Sequence, residues 1–136
     1  MPRSIVFAVL ALQVVILNLP ASGQEALLDG RVFIVDIGDK GRPADNIGDV
    51  LTFRDGSFHS SKCNEWGYGP ARYRSVRSGS RIQFDAESIS VGDGRLVWRG
   101  VIQGNTVEGS QIYHRKPSFF RPTPAPTERW FKGSSR

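Results

Sequence analysis

The chain holds one cysteine, one methionine and two histidines in 136 residues. Each scarcity removes a class of explanation. One cysteine cannot close an internal disulfide, so stability must come from a core and from backbone pairing. Cys63 is then a buried thiol, or a free thiol able to pair with another molecule. A zinc site needs three or four ligands in tetrahedral reach. His59, Cys63 and His114 are too few and too scattered to suggest one, and no metal or cofactor is expected. The sequence has no glycine-rich phosphate cradle, no nucleophile elbow and no pair of carboxylates in an evident cleft. Without a catalytic constellation, the expectation is a protein that is not an enzyme. His59 precedes Cys63 by four residues and would share its strand face if the strand ran that far. That is the only hint of thiol chemistry.

Long apolar runs are also missing, with one exception. Arg3 is followed by the run from Ile5 to Leu19, interrupted only by Gln13 and Asn18, then by Pro20 and the small residues Ala21-Ser22-Gly23. This order reads as a secretory signal peptide, 1–23, cleaved between Gly23 and Gln24. The expected location is therefore periplasmic or secreted, with no membrane span once the signal is removed. An uncleaved anchor is the alternative, but a spanning helix wants about 20 apolar residues. No cysteine follows the run to carry a lipid. Cleavage leaves 113 residues, enough for one small domain, 24–136.

Charge of one sign is never concentrated. Without Arg3 there are 17 basic and 13 acidic residues, interspersed throughout. A nucleic-acid binder gathers its cations on one face. Arg72, Arg74 and Arg77 are the nearest approach to a patch and read as a solvated strand face, so no nucleic-acid partner is expected. Asp29, Asp36, Asp39, Asp45 and Asp49 crowd the first loop without the ligand spacing of a calcium loop, and read as solvated.

No segment after residue 24 has a helical period. What is present is alternation, period two, punctuated by Gly, Asp and Asn. Residues 31–37 form a first strand and 39–46 a polar loop. Residues 49–62 form a hairpin turning at Asp55-Gly56. Two more hairpins, 71–90 and 94–115, turn at Ser78-Gly79 and Gly104-Asn105, with 90–94 joining them. The loop 116–127 contains Pro117, Pro122, Pro124 and Pro126, which exclude a central strand there. A last strand, 127–135, makes about eight. Three triplets recur: Trp98-Arg99-Gly100, Val107-Glu108-Gly109 and Phe131-Lys132-Gly133. In each, the large apolar residue and the glycine share a face. Interior glycines at such positions suit strongly coiled strands closing on themselves. The fold class is therefore all-β, an antiparallel up-and-down barrel, with a β-sandwich as the alternative.

Phe53, Asp55, Gly56, Phe58, Ser60 and Cys63, then Trp98, Gly100, Gly104 and Gly109, then Trp130, Phe131 and Gly133 together carry a resemblance. In these motifs, over nearly all of the chain after residue 24, the sequence resembles a group of small exported bacterial proteins of uncharacterised function, lipocalin-like or calycin-like β-barrels. The resemblance implies the barrel and implies no particular activity. The proline-rich insert is longer than the group pattern leads one to expect.

Two readings of residues 59–74 stay open. In one, Trp66, Tyr68 and Tyr73 offer flat surface at a barrel mouth, above Trp98 and Phe84, to a small apolar ligand. In the other, the segment is a corner plug, with Cys63 packed as a small hydrophobe. The inward set Phe33, Phe53, Phe58, Phe84, Trp98, Ile102 and Phe131 is large enough to fill a small barrel, which counts against a roomy cavity. The functional expectation is an exported binding protein of the cell envelope. The alternative is an envelope interaction or inhibitor protein acting through surface loops, with Phe119 and Phe120 exposed on the proline-rich loop.

Overall fold

The computed structural model describes residues 26–136; the expected signal peptide lies outside them. Eight strands run in chain order: β1 (Val32–Asp39), β2 (Ala44–Arg54), β3 (Ser57–Ser60), β4 (Ala71–Ser78), β5 (Arg81–Ser90), β6 (Gly94–Gln103), β7 (Thr106–Arg115) and β8 (Thr127–Ser135). One short helix, α1 (Ser61–Asn64), follows β3. Every neighbouring pair is antiparallel, and β8 returns to β1, from Phe33↔Ser135 to Asp39↔Arg129. The sheet is thus a closed barrel, an outcome that removes all exposed edges. The β-sandwich alternative is excluded.

Turn chemistry sets the register. At Asp55-Gly56 both residues have positive φ, 51° and 73°, as a two-residue hairpin turn of the primed kind requires. Gly104-Asn105 turns as expected between Gln103 and Thr106. The β4–β5 turn is one residue later than the sequence suggested: Ser78 pairs with Arg81, so Gly79-Ser80 forms the turn.

Two segments depart from the alternation reading. The expected loop 39–46 is largely strand, because β2 begins at Ala44. Between Val35↔Asp49 and Gly38↔Ala44, β2 carries two more residues than β1, a bulged stretch. Gly48 sits there with φ 73°, its N–H donating to Asp36 Oδ1 at 3.1 Å. A bulge breaks the period of two, which is why the segment read as loop. The strand expected to run to Lys62 stops at Ser60, whose side chain caps α1 by accepting from the Cys63 N–H at 3.3 Å. His59 is therefore not aligned with Cys63. It lies in a shallow outer concavity with Thr52, Arg54 and Pro70.

The core is a train of rings. Phe53 lies 4.9–6.1 Å, centroid to centroid, from Tyr73, Phe84, Phe58 and Phe33. Trp98 bridges Phe58 at 5.0 Å and Phe131 at 5.3 Å. All seven residues assigned inward by parity are buried. Leu28, fully buried, was not among them. It belongs to the turn 27–30, which closes the end of the barrel that carries the hairpin turns. There the Tyr73 hydroxyl donates to Asp29 Oδ1 at 2.7 Å and accepts from the Leu28 N–H at 3.2 Å.

The mouth of the barrel, a candidate functional site

The other end gathers the residue 40–43 connection, α1 with residues 65–70, the turn 91–93 and the proline-rich loop. The Asp49 carboxyl builds its edge. Fully buried beneath α1, it accepts from the Ser60 hydroxyl at 2.6 Å, the Ser61 hydroxyl at 3.0 Å and the Lys62 N–H at 3.1 Å. This corrects the solvated reading for Asp49 alone; Asp29 and Asp45 are exposed as expected, and Asp36 and Asp39 are half-buried. Asp29 ties down the opposite end, Asp36 holds the β2 bulge, and Asp39 and Asp45 flank Arg129. Among the described residues no cluster of three His, Cys, Asp or Glu is arranged to hold a metal.

α1 and its loop then lay Cys63 and Tyr68 across the opening. Tyr68 and Tyr113 donate to the two oxygens of Asp93, at 2.6 and 3.0 Å, which pins the 91–93 turn between them. Burial first, and the hydrogen bond to Asp93 second, push both phenols above their ordinary pKa. Tyr73, buried and bonded to Asp29 at the far end, is shifted the same way. Burial also raises the Cys63 thiol, chiefly through desolvation, so it stays protonated at neutral pH and is a poor nucleophile. Gln111, itself buried, points its amide at Cys63 Sγ, 3.6 Å away.

These groups border an open concavity of about 370 Å³. Ile37, Leu96 and the rings of Tyr68 and Tyr113 supply apolar wall, with Trp66 as an exposed lip. The polar groups are nearly all spent on each other. Arg129 is neutralised by Asp39 at 2.8 Å and by Asp45, whose acidity is raised chiefly by its hydrogen bond from Arg129. One acceptor is left over: Asn46 Oδ1 is buried in the wall without a hydrogen-bond partner. A larger concavity, about 470 Å³, lies on the outer face of β4–β7. Of its charged side chains, Arg74 pairs with Asp85 at 2.8 Å in solvent, while Arg99 and Glu108 also line it.

The structure brings together some of the residues singled out from sequence and separates others. Trp66, Tyr68 and Cys63 meet at the mouth. Tyr73 does not: it is at the opposite end, because β4 starts beside Phe58 and runs away from the mouth. Trp98 and Phe84 are interior rings of the core and are absent from the wall of the mouth. Asn46, Asp93, Leu96, Gln111, Tyr113 and Arg129 were missed. For all but Gln111, which lies mid-strand in β7, the signal is position: Asp93 is in a mouth-side turn and the others lie near the mouth-side ends of their strands, which an up-and-down topology reveals once the turns are counted.

Fold and site together define a small closed barrel with a filled interior and a shaped opening at one end. Comparison with family profiles, with curated proteins and with solved structures finds no match to this chain.

The chain's three tyrosines give an early test. Each phenol is raised in the fold, so the unfolded chain releases those protons first. Stability is then fully present below the ordinary tyrosine pKa of about 10 and falls as pH rises above it. In an alkaline titration followed at 295 nm, no tyrosine should ionise before the fold is lost. A normal titration near pH 10 in protein still folded by circular dichroism would contradict the Asp93 and Asp29 arrangements.

Proposed function

We propose that this is an exported, non-enzymatic binding protein of the cell envelope, of the lipocalin-like kind its sequence resembles, and that it takes a small molecule at the mouth of the barrel. The observation that carries the reading is the unpartnered Asn46 Oδ1 in a wall whose other polar groups, Asp93, Gln111 and Arg129, already have partners. An apolar concavity with a single oriented polar group is the usual form of a small-ligand site. Arg129 is already paired with two carboxylates, so no free cation awaits an anionic ligand. The ligand would need an N–H or O–H to offer Asn46 and an apolar face for the rings at the mouth. The ring-packed interior argues against deeper entry.

The test is native mass spectrometry of protein purified gently from the cells that make it. An adduct of small-molecule mass is expected in the wild-type protein. It should be lost, with affinity about tenfold weaker, in Trp66→Ala and in Asn46→Ala. A bare mass in the wild type, or an adduct indifferent to both substitutions, overturns the reading. A second reading, an envelope interaction protein working through loops, is favoured by the exposure of Phe119 and Phe120.

A further inference from the structure

The mouth end is unlike the rest of the surface. Eight large apolar side chains are exposed among the described residues, and six of them, Ile47, Trp66, Ile89, Val91, Phe119 and Phe120, surround the mouth or hang from its loops. The other two, Ile34 and Val76, stand singly on strands toward the opposite end, and neither belongs to a loop. Phe119 and Phe120 are the extreme case, 96% and 91% exposed. They occupy the two central positions of a turn closed by the Arg121 N–H on the Ser118 carbonyl at 3.2 Å, with their rings edge to face at 5.3 Å. A turn thus holds two phenyl rings at its tip, where neither meets the core. Such exposure is unfavourable unless something covers it.

The surroundings of the tip say what that is. From Arg115 to Thr127 there are three cations, Arg115, Lys116 and Arg121, and no carboxylate. All three line a concavity of about 640 Å³ at the base of the loop, together with Phe120; Asp93, whose carboxylate is held by Tyr68 and Tyr113, is the one acidic residue beside them. Lys116 anchors this base to the barrel rim: its backbone N–H donates to the Asp93 carbonyl at 2.9 Å and its Nζ to the Val91 carbonyl at 2.8 Å. Pro117, Pro122 and Pro124 restrict the backbone on both sides of the tip, so the rings are presented at low entropic cost. Aromatic rings ahead of a collar of cations match the two layers of a membrane interface, with acyl chains beneath anionic headgroups. A protein groove would have to be shaped to two adjacent rings at a turn apex. A bilayer accepts them without such shape matching.

We propose that the Phe119–Phe120 tip and its cations dock the mouth end of this barrel on a membrane surface rich in anionic phospholipid. The rings enter the interface while Arg115, Lys116 and Arg121 meet headgroup phosphates. This does not depend on the mouth holding a ligand, and Asn46 plays no part in it.

Cosedimentation of the chain from Gln24 onward, which contains the whole closed barrel, with vesicles of phosphatidylglycerol and phosphatidylcholine against phosphatidylcholine alone is the test. The anionic vesicles should bind on the order of a hundredfold more tightly, and added salt should weaken that binding. The Phe119→Ser/Phe120→Ser variant should lose affinity by a similar factor, and Arg115→Gln/Lys116→Gln/Arg121→Gln should erase the preference for anionic lipid. All of these side chains are exposed, so thermal melts should be unchanged for the phenylalanine variant and shift only slightly for the triple variant, which also loses the exposed Lys116–Val91 contact. No binding to anionic vesicles, or binding that ignores both variants, overturns the proposal. So does a protein partner that requires Phe119 and Phe120 while the vesicles stay unbound.

Discussion

Gly109→Ala should cost about 3 kcal/mol or more and lower the melting temperature by more than about 10 °C, although it adds a single methyl group. Gly109 on β7 faces Gly100 on β6, and Phe131 on β8 is its other neighbour. A Cβ at Gly109 would run into the Arg99 carbonyl oxygen. It would also stand 2.6 Å from the Gly100 Cα and 2.7 Å from Phe131 Cζ. Two of these obstacles are backbone, and the third is a buried ring against Trp98. Nothing can give way without parting β6 from β7. Gly100 is caught similarly, with Phe131 Cζ 2.9 Å and Phe84 Cζ 3.0 Å from where its Cβ would be. The paired glycines leave the floor on which the Phe131 ring lies, an aromatic covering two bare backbones. Gly92→Ala is the control: no atom lies within 4 Å of its added Cβ, and its melt should stay within about 0.5 kcal/mol of wild type. Equal melts for the two variants would refute this account of the closure.

Asp49→Ala should be nearly as costly, about 3 kcal/mol, for a polar reason rather than a steric one. It strands the Ser60 and Ser61 hydroxyls and the Lys62 N–H in a buried place. Ser61 also accepts from the Val50 N–H at 3.1 Å, so its loosening reaches β2. The damage should be local before it is global. Amide exchange should rise through residues 61–70, while β5, β6 and β7, joined by two unbroken ladders, keep their protection. Asp49→Asn, which retains an acceptor, should recover part of the loss. Uniform exchange across the barrel, or a melt equal to wild type, would show that Asp49 does not hold the mouth.

The two substitutions mark how much the sequence reveals. The recurring apolar-charged-glycine triplets pointed to strand coiling and closure, and at all three glycines a side chain would collide with a neighbouring strand or a core ring. What the triplets did not reveal was that Gly100 and Gly109 face each other, since pairing between strands depends on register. Asp49 shows the opposite case. In β2 it shares the inward face with Leu51 and Phe53, yet in sequence an aspartate among aspartates reads as solvent-facing. Only the arrival of α1 over it supplies the donors that make its burial tolerable.

The sequence by itself determined the strand number to within its turns, the inward aromatic set, the Asp55-Gly56 and Gly104-Asn105 hairpins and the exposed Phe119–Phe120 loop. These follow from local rules, period two and the φ preferences of glycine and proline, which act over a few residues. The tertiary structure alone decided that Tyr68 and Tyr73 face opposite ends, that Leu28 plugs one of them, and that Asn46, Tyr113 and Arg129 share a wall. Those residues are brought together by strand register, bulges and ring closure. Such features arise when side chains far apart in the chain compete for the same interior volume, and no local window of residues contains that competition.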